Sequence, residues 1–451
     1  MATTTQSSVE RESLKPSRFQ ARFAFTILLV INILNYADRY VLSAVLPKIQ
    51  VDLSLSDTQL GLLSSAFLLV YALTTLPLGV WADRSTRKNI VAICVGVWSV
   101  ATTLAGFTTN FMQLFVTRTV LGIGEAGYAP ATLSLLGDYF PKESRGRVLS
   151  FYSIGNLIGT AFGLVMGGLV ADAFGWHWAF FIVGIPGLIA AFLIWRATEP
   201  ARGIYEQEDG DEVSVTHGGL GKDFWGAVRH LFRIPTYWVI LGAFVFSFFT
   251  VGGASAWIPT YFHKAFSLTV GQAASISGAV LAGGSLIGTL AGGWASDYLQ
   301  RRRPEGRMIV VTFSFLVGAP MTWFALSLHT LLPFIAAFFV AVICLSLCLG
   351  PLNAIIQDVI VPQVRATAFG LALLLAHLLG DASSPTLIGA LSDRFHALGM
   401  DKAQALGTAL LSTAPVCLAL AGIVCLIGLR TVARDMRKMQ EYLHRKQERV
   451  E

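Results

Sequence analysis

Apolar residues in this chain come in long runs broken by short polar stretches. A helix rises about 1.5 Å per residue, so about 20 apolar residues cross the hydrocarbon of a bilayer. The pattern predicts twelve such spans, at 22–49, 57–82, 88–108, 111–139, 146–172, 178–197, 236–263, 269–298, 308–328, 331–359, 364–392 and 403–430. Most connections are short, which predicts antiparallel neighbours. The longest break, 198–235, carries EQEDGDE at 206–212 and a Gly-rich turn at 218–221 and reads as a linker between two halves. The predicted organisation is a tail (1–21), a six-helix bundle (22–197), the linker with an amphipathic helix (198–235), a second six-helix bundle (236–430) and a C-terminal helix (431–451). In fold class this is an all-α membrane protein.

Composition agrees. Of 451 residues, 54% are hydrophobic and 13% charged, against about 25% charged in soluble domains. The five cysteines all fall in apolar runs and show no zinc-ligand spacing, so neither a disulfide framework nor a metal site is indicated. Residues 1–21 are polar and lack a cleavage-site pattern, so the first span is expected to act as the membrane address. The net charge of +6 does not point to nucleic acid. It reports orientation. With the N-terminus in the cytoplasm, only Lys48, Lys264, Arg394 and Lys402 of the 33 Lys and Arg fall in outer loops, and Arg39 and Arg118 lie inside the membrane. Both termini are therefore expected in the cytoplasm.

The first, fourth and eleventh spans carry interior charge. Asp38 and Arg39 stand side by side within NYADRY, 35–40. A charge at bilayer depth costs about 2.5–3.5 kcal/mol on insertion scales, so such residues face a protein interior or a wet cavity and have partners. Arg118 and Glu125 lie seven residues apart, almost two turns, and project from one face of the fourth span. His377 and Asp381, at i and i+4 on the eleventh span, form a candidate second polar site or an interhelical pair. Gly155, Gly159, Gly163 and Gly167 make a small-residue stripe that admits a close helix neighbour. Pro130, Pro259, Pro320 and Pro385 are candidate kinks. Phe244, Phe246, Phe248 and Phe249 crowd the seventh span, where lipid-facing packing is expected and an apolar path for an acyl chain is the alternative. Within the linker, Phe224, Trp225, Val228, Leu231 and Phe232 share one helical face, with Lys222, Arg229 and Arg233 away from it. At the C-terminus Val432, Met436, Met439 and Leu443 recur at helical spacing, predicting a cuff at the inner face.

The chain repeats itself. Gly79-Val-Trp-Ala-Asp83 ends the second span and Gly293-Trp-Ala-Ser-Asp297 the eighth, each followed by basic residues. Pro141 with Arg145 precedes the fifth span, and Pro362 with Arg365 the eleventh. Two six-helix parallel repeats around a central site are one plan used by secondary transporters. GVWADRSTRK, 79–88, resembles the G-x-x-x-D-R-x-G-R-K loop of the major facilitator superfamily, with Thr86 where that pattern has Gly. Gly159 to Gly168 resembles its fifth-helix motif, with Leu164 in place of Pro. NYADRYVLSAVLP, TRTVLGIGEAGYAPA, WHWAFF and EPARG are similar to the Spinster branch, the proton-linked lipid and lysolipid transporters, in its bacterial form.

The resemblance implies a central cavity lined by the first and fourth helices. Asp38, Arg39, Arg118 and Glu125 are then one buried network, either a static lock or a proton-coupling device. Asp38 and Glu125 are the candidate proton carriers, and Arg39 and Arg118 their charge partners or a binding site for an anionic head group. The resemblance further implies a cytoplasmic latch holding Asp83, Arg84, Arg87 and Arg145, with Asp297 mirroring Asp83; a topology signal is the plainer alternative. The expected function is proton-coupled alternating access for an amphiphile, such as a lysolipid or sphingoid lipid. The alternative is a proton-linked symporter of a small organic anion. No H-E-x-x-H, G-x-S-x-G or Walker loop appears, so neither a membrane enzyme nor ATP drive is indicated, and no cofactor is expected. A monomer in a bacterial inner membrane is expected, with the bilayer, protons and a small-molecule or lipid substrate as its partners.

Overall fold

The structure, a computed structural model, describes residues 16–205, 226, 228–229 and 231–447. Every regular element among them is helical. Helices satisfy each backbone polar group within one segment, which a bilayer interior demands. Eleven helical segments are long and apolar enough to cross a membrane. The twelfth predicted span, the fourth in order, is split into two short helices. The chain forms two compact units, Met1–Leu53 with Val70–Thr216 and Ser54–Leu69 with His217–Glu451.

The first unit holds α1 (Arg18–Asp52), most of α2 (Asp57–Arg84), α3 (Arg87–Ala105), α4 (Phe111–Ala126), α5 (Tyr128–Tyr139), α6 (Lys142–Phe174) and α7 (Trp176–Arg196). The break between α4 and α5 falls at Gly127, where a Cβ would lie 2.9 Å from Cys94 Sγ and 3.1 Å from Leu78 Cβ. Pro130 sits in the first turn of α5, where its missing N–H costs nothing. The glycine stripe of α6 lies along α1. A Cβ on Gly159 would come within 2.4 Å of Ile33 O, and one on Gly163 within 2.4 Å of Ala37 O. The stripe thus brings α6 against the backbone of α1 on either side of Asn35 and Tyr36.

The second unit holds α8 (Pro235–Phe266), α9 (Val270–Gln300), α10 (Gly306–Leu326), α11 (Leu331–Ser346), α12 (Leu349–Val359), α13 (Arg365–Leu375), a π-helical turn (Ala376–Asp381), α14 (Ser384–Ala397) and α15 (Lys402–Gln447). Three expectations are corrected here. No break separates a last span from a C-terminal helix at 430/431, because α15 runs unbroken for 46 residues. Its extension is anchored by Asp435, which accepts from Thr236 N (3.1 Å) and Thr236 Oγ1 (2.7 Å) and so caps the start of α8. The phenylalanines of α8 pack inward: Phe244 and Phe249 are buried, and Phe246 and Phe248 lie against the core of this unit.

The third correction concerns α2. Its first half, up to Leu69, belongs with the second unit, not the first. Asp393 accepts the N–H groups of Asp57 (3.0 Å) and Thr58 (2.8 Å) and the Thr58 hydroxyl (2.5 Å). Asp57 in turn takes Ser392 Oγ (2.6 Å) and Lys264 Nζ (3.2 Å). The positive end of a helix and a carboxylate attract, and the carboxylate satisfies orphan donors. Sequence spacing gives no sign of a partner more than 300 residues away. In the linker Val228 and Leu231 are buried and Arg229 and Arg233 exposed, as expected, but Phe232 of the same face is exposed and rests on Trp238; Phe224, Trp225, Lys222 and the segment 206–212 lie outside the described residues.

Gly163→Val forces a side chain against the α1 backbone and is expected to lower stability by about 1–3 kcal/mol. Gly146→Ala on the same helix has nothing within 4 Å of the added carbon and is expected to leave stability unchanged or raise it. Thermal unfolding in detergent separates the two. Equal melting temperatures would show that the stripe is not packed as described.

Candidate functional site

All four interior charges of the first unit meet. Arg39 Nε donates to Glu125 Oε2 at 2.7 Å, and Arg118 Nη1 to Asp38 Oδ1 at 3.4 Å. The two acids and two bases therefore form crossed pairs between α1 and α4, about 10 Å apart along α4 by helical rise. Asp38, Arg118 and Glu125 are at most 1% exposed, whereas the Arg39 side chain is 20% exposed. Arg39 is thus the one member of the four that a solute reaches. Its guanidinium lies 4.6 Å from the Tyr71 ring centroid and 5.3 Å from that of Tyr36, a cation–π setting. Glu125 keeps one carboxylate oxygen, Oε1, buried and without a hydrogen-bond partner among the described residues.

Two members of this site, Thr102 and Tyr71, escape sequence reading. Thr102 of α3 donates its hydroxyl to Asp38 Oδ2. Tyr71 of α2 and Tyr36 of α1 supply the aromatic faces around Arg39. A threonine or tyrosine in an apolar run carries no charge to mark it, and only packing shows which way it points. Nearby, Asn32 donates to Asn156 Oδ1 (2.7 Å) and Tyr152 O (2.8 Å), and the Tyr128 and Tyr152 hydroxyls lie 2.7 Å apart. This second polar cluster satisfies groups that lipid cannot.

The basic side of each unit carries a parallel charge cluster. Arg87, 3% exposed, binds Asp138 and sits 3.1 Å from Glu199. Glu199 also accepts the N–H groups of Arg87 (3.1 Å) and Lys88 (2.9 Å). It therefore caps α3, a task the Thr86 side chain leaves undone. Gly203 N donates to Asp138 (2.9 Å), and Arg202 to Ser85 O (2.7 Å), so the EPARG segment straps α3 to α5. In the second unit Arg307 binds Asp358 (2.5 Å) and Asp297 (3.2 Å). Arg145 donates to Gly137 O (2.6 Å), and Arg365 to Gln357 O (2.7 Å), each eight residues back. Arg87, Arg145 and Asp297 are thus each engaged within their own unit. Arg84 is exposed, and the Asp83 side chain lies outside the described residues.

His377 and Asp381 pair at 2.9 Å in the second unit. The helix there is not α. Ala382 N reaches back five residues to His377 O (3.0 Å), which makes the turn π-helical. Such turns are costly and concentrate at functional sites. The His377 ring stands edge-on to Phe248 at 5.1 Å, and a Cβ on Gly252 would come within 2.5 Å of Asp381 Cβ. Pro385 then restarts the helix as α14.

The model of the major facilitator superfamily matches residues 28–385. Protein spinster homolog 1 of Xenopus tropicalis is 30% identical over 385 residues, which span 82% of this chain and 72% of that protein. Protein spinster homolog 1 of Homo sapiens is 30% identical over 402 residues, spanning 84% and 74%. The crystal structure of a bacterial homologue of the human lysosomal transporter Spinster, inward-facing and unoccupied, matches with a TM-score of 0.76 at 25% identity, covering 94% of this chain and 99% of that one. The nucleoside transporter NupG, at 16% identity and a TM-score of 0.67 over 89% of this chain and 98% of its own, shares the fold.

Arg39→Leu leaves Glu125 buried without its cation and is expected to cost about 3–5 kcal/mol. Adding Glu125→Leu is expected to restore most of that loss, because the uncompensated charge is gone. Thermal unfolding of both variants reads the coupling. A double variant no more stable than Arg39→Leu would show that the two residues do not act as a pair.

Proposed function

This chain belongs to the Spinster branch of the major facilitator superfamily, and we propose that it moves an amphiphilic, lipid-like substrate by proton-coupled alternating access. Lysolipids and sphingoid lipids are the substrate class. The observation that carries the reading is Glu125: a buried carboxylate with one oxygen on Arg39 and the other without a hydrogen-bond partner among the described residues. Arg39 is also the exposed member of the network, so an anionic head group competes with Glu125 for the same guanidinium. Once Arg39 turns to the head group, Glu125 is a buried charge that has lost its countercharge. Taking a proton is its lowest-cost response. Release of the head group returns Arg39 to Glu125 and expels the proton. Asp38, held by Arg118 and Thr102, is the second proton carrier, and Arg118 the second charge partner.

The phenol rings beside Arg39 suit an amphiphile, since they offer apolar faces next to a charge. The same guanidinium also fits a small carboxylate in a bidentate grip, which is what the reading as an organic-anion symporter draws on. His377 and Asp381, on their π turn, are a second polar site within the other half. In this reading Asp83 and Arg84 serve the cytoplasmic latch, while Arg87, Arg145 and Asp297 stiffen the rim of each half. The excess of Lys and Arg on one side supports a cytoplasmic position for both termini, in the proposed setting of a bacterial inner membrane.

Flux into proteoliposomes tests this, with lysolipids, sphingoid bases and organic acids each offered with and without a pH gradient. Lysolipid or sphingoid uptake is expected to rise at least tenfold with the gradient, and Glu125→Gln is expected to abolish that rise. Asp38→Asn is expected to reduce it. Gradient-driven uptake of organic acids alone would overturn the substrate class. Full gradient-driven uptake in both variants would overturn the coupling.

A further inference from the structure

A cavity of about 700 Å3 opens on the basic side of the second unit, where the end of the linker, the start of α8, the turn after α12 and the extension of α15 come together. One wall is apolar and is formed by Ile234, Val359, Val364 and Met439. Arg233, Lys438 and Tyr442 line the rest, all three exposed. Asp435 also faces the cavity, but its carboxylate is taken up by Thr236 and by Arg434, 3.5 Å away. Arg233 and Lys438 have no carboxylate within ion-pair distance among the described residues. The transport cycle proposed above uses none of these side chains.

We propose that this cavity binds the head group of an anionic phospholipid from the cytoplasmic leaflet, independently of the molecule transported. Three observations converge on that occupant. The first is charge: a guanidinium and an ammonium across one cavity match a phosphate, the Arg as a fork and the Lys as a point charge. The second is level. The apolar segments long enough to cross start at Pro235 and end at Val359, so the cavity sits at the ends of two such segments, where head groups are expected. Basic pockets between helix ends at that level suit anionic lipid heads. The third is the apolar wall, which accepts the glycerol backbone and the first carbons of an acyl chain. The volume is within the range that holds a small molecule. The acidic linker segment EQEDGDE, 206–212, matches the charge but has no apolar side chain to offer the wall. A phospholipid seated here ties the extension of α15 to the turn between α12 and α13.

Native mass spectrometry of the full chain in detergent is the test, with dilauroyl phosphatidylglycerol and dilauroyl phosphatidylcholine as probes. The wild type is expected to bind the phosphatidylglycerol at least tenfold more tightly. Arg233→Gln with Lys438→Gln is expected to lose at least fivefold in phosphatidylglycerol affinity, with phosphatidylcholine binding unchanged. Arg302→Gln with Arg303→Gln removes the same charge outside the cavity and is expected to change neither by more than twofold. Equal losses in the two double variants would overturn the site in favour of general charge attraction. Displacement of phosphatidylglycerol by an equal concentration of glycerol phosphate would assign the cavity to a soluble phosphate. A tenfold gain in binding on neutralising Glu206, Glu208, Asp209, Asp211 and Glu212 would assign it to the chain's own linker.

Discussion

Four charges at bilayer depth, three buried and Arg39 partly so, constrain the first unit more than any other feature. Each is too costly to face lipid, and each pair is stable only while both members stay together. The crossed pairing of Asp38 with Arg118 and Arg39 with Glu125 fixes the register of α1 against α4. Thr102 adds α3 to the same network, and Tyr71 adds α2. From the other side the glycines of α6 press on the α1 backbone around Asn35 and Tyr36. The helix that carries the charges is therefore held by packing on one face and by ion pairs on another. Any change in the pairing of Arg39 is transmitted to a rigid element.

Away from the membrane interior the two repeats solve one problem in the same way. Arg87 with Asp138 and Arg307 with Asp358 tie the start of one helix to the end of another. Arg145 and Arg365 each return to a carbonyl eight residues earlier, at the negative end of a helix. The capping differs. Glu199 caps α3 from the strap that follows α7, whereas Gln300 Oε1 accepts Arg307 N from the preceding helix. Repetition is thus kept in the charges and relaxed in the caps, where any carboxylate or amide within reach serves.

Departures from α-helical geometry gather near polar side chains. The Gly127 break follows Glu125 by two residues, and the π turn holds both His377 and Asp381. An unbroken α-helix would have returned its backbone bonds in sequence and left these side chains on fixed rows. Gly127 is forced by the close approach of Cys94 and Leu78. The π turn instead lets His377 and Asp381 stay within 2.9 Å while Gly380 fits against Val245 O, where a Cβ would lie at 2.7 Å.

Span number and the buried charges were legible in the sequence because each is a local property. A run of apolar residues and a charge in a hydrophobic run need no knowledge of neighbours. Asp38, Arg39, Arg118 and Glu125 stood out for that reason, and so did the repeat. What pairs with what was not local. Thr102 and Tyr71 look like any residue of an apolar helix, and Glu199 caps a helix that begins 112 residues earlier. The inward turn of Phe244 and Phe249, the grouping of the first half of α2 with α14, and the unbroken run of α15 depend on which surfaces meet. Hydropathy cannot tell protein from lipid as the neighbour of an apolar side chain, because both are apolar. Only the tertiary structure decided those contacts, by bringing distant donors, acceptors and backbones within a few ångströms of one another.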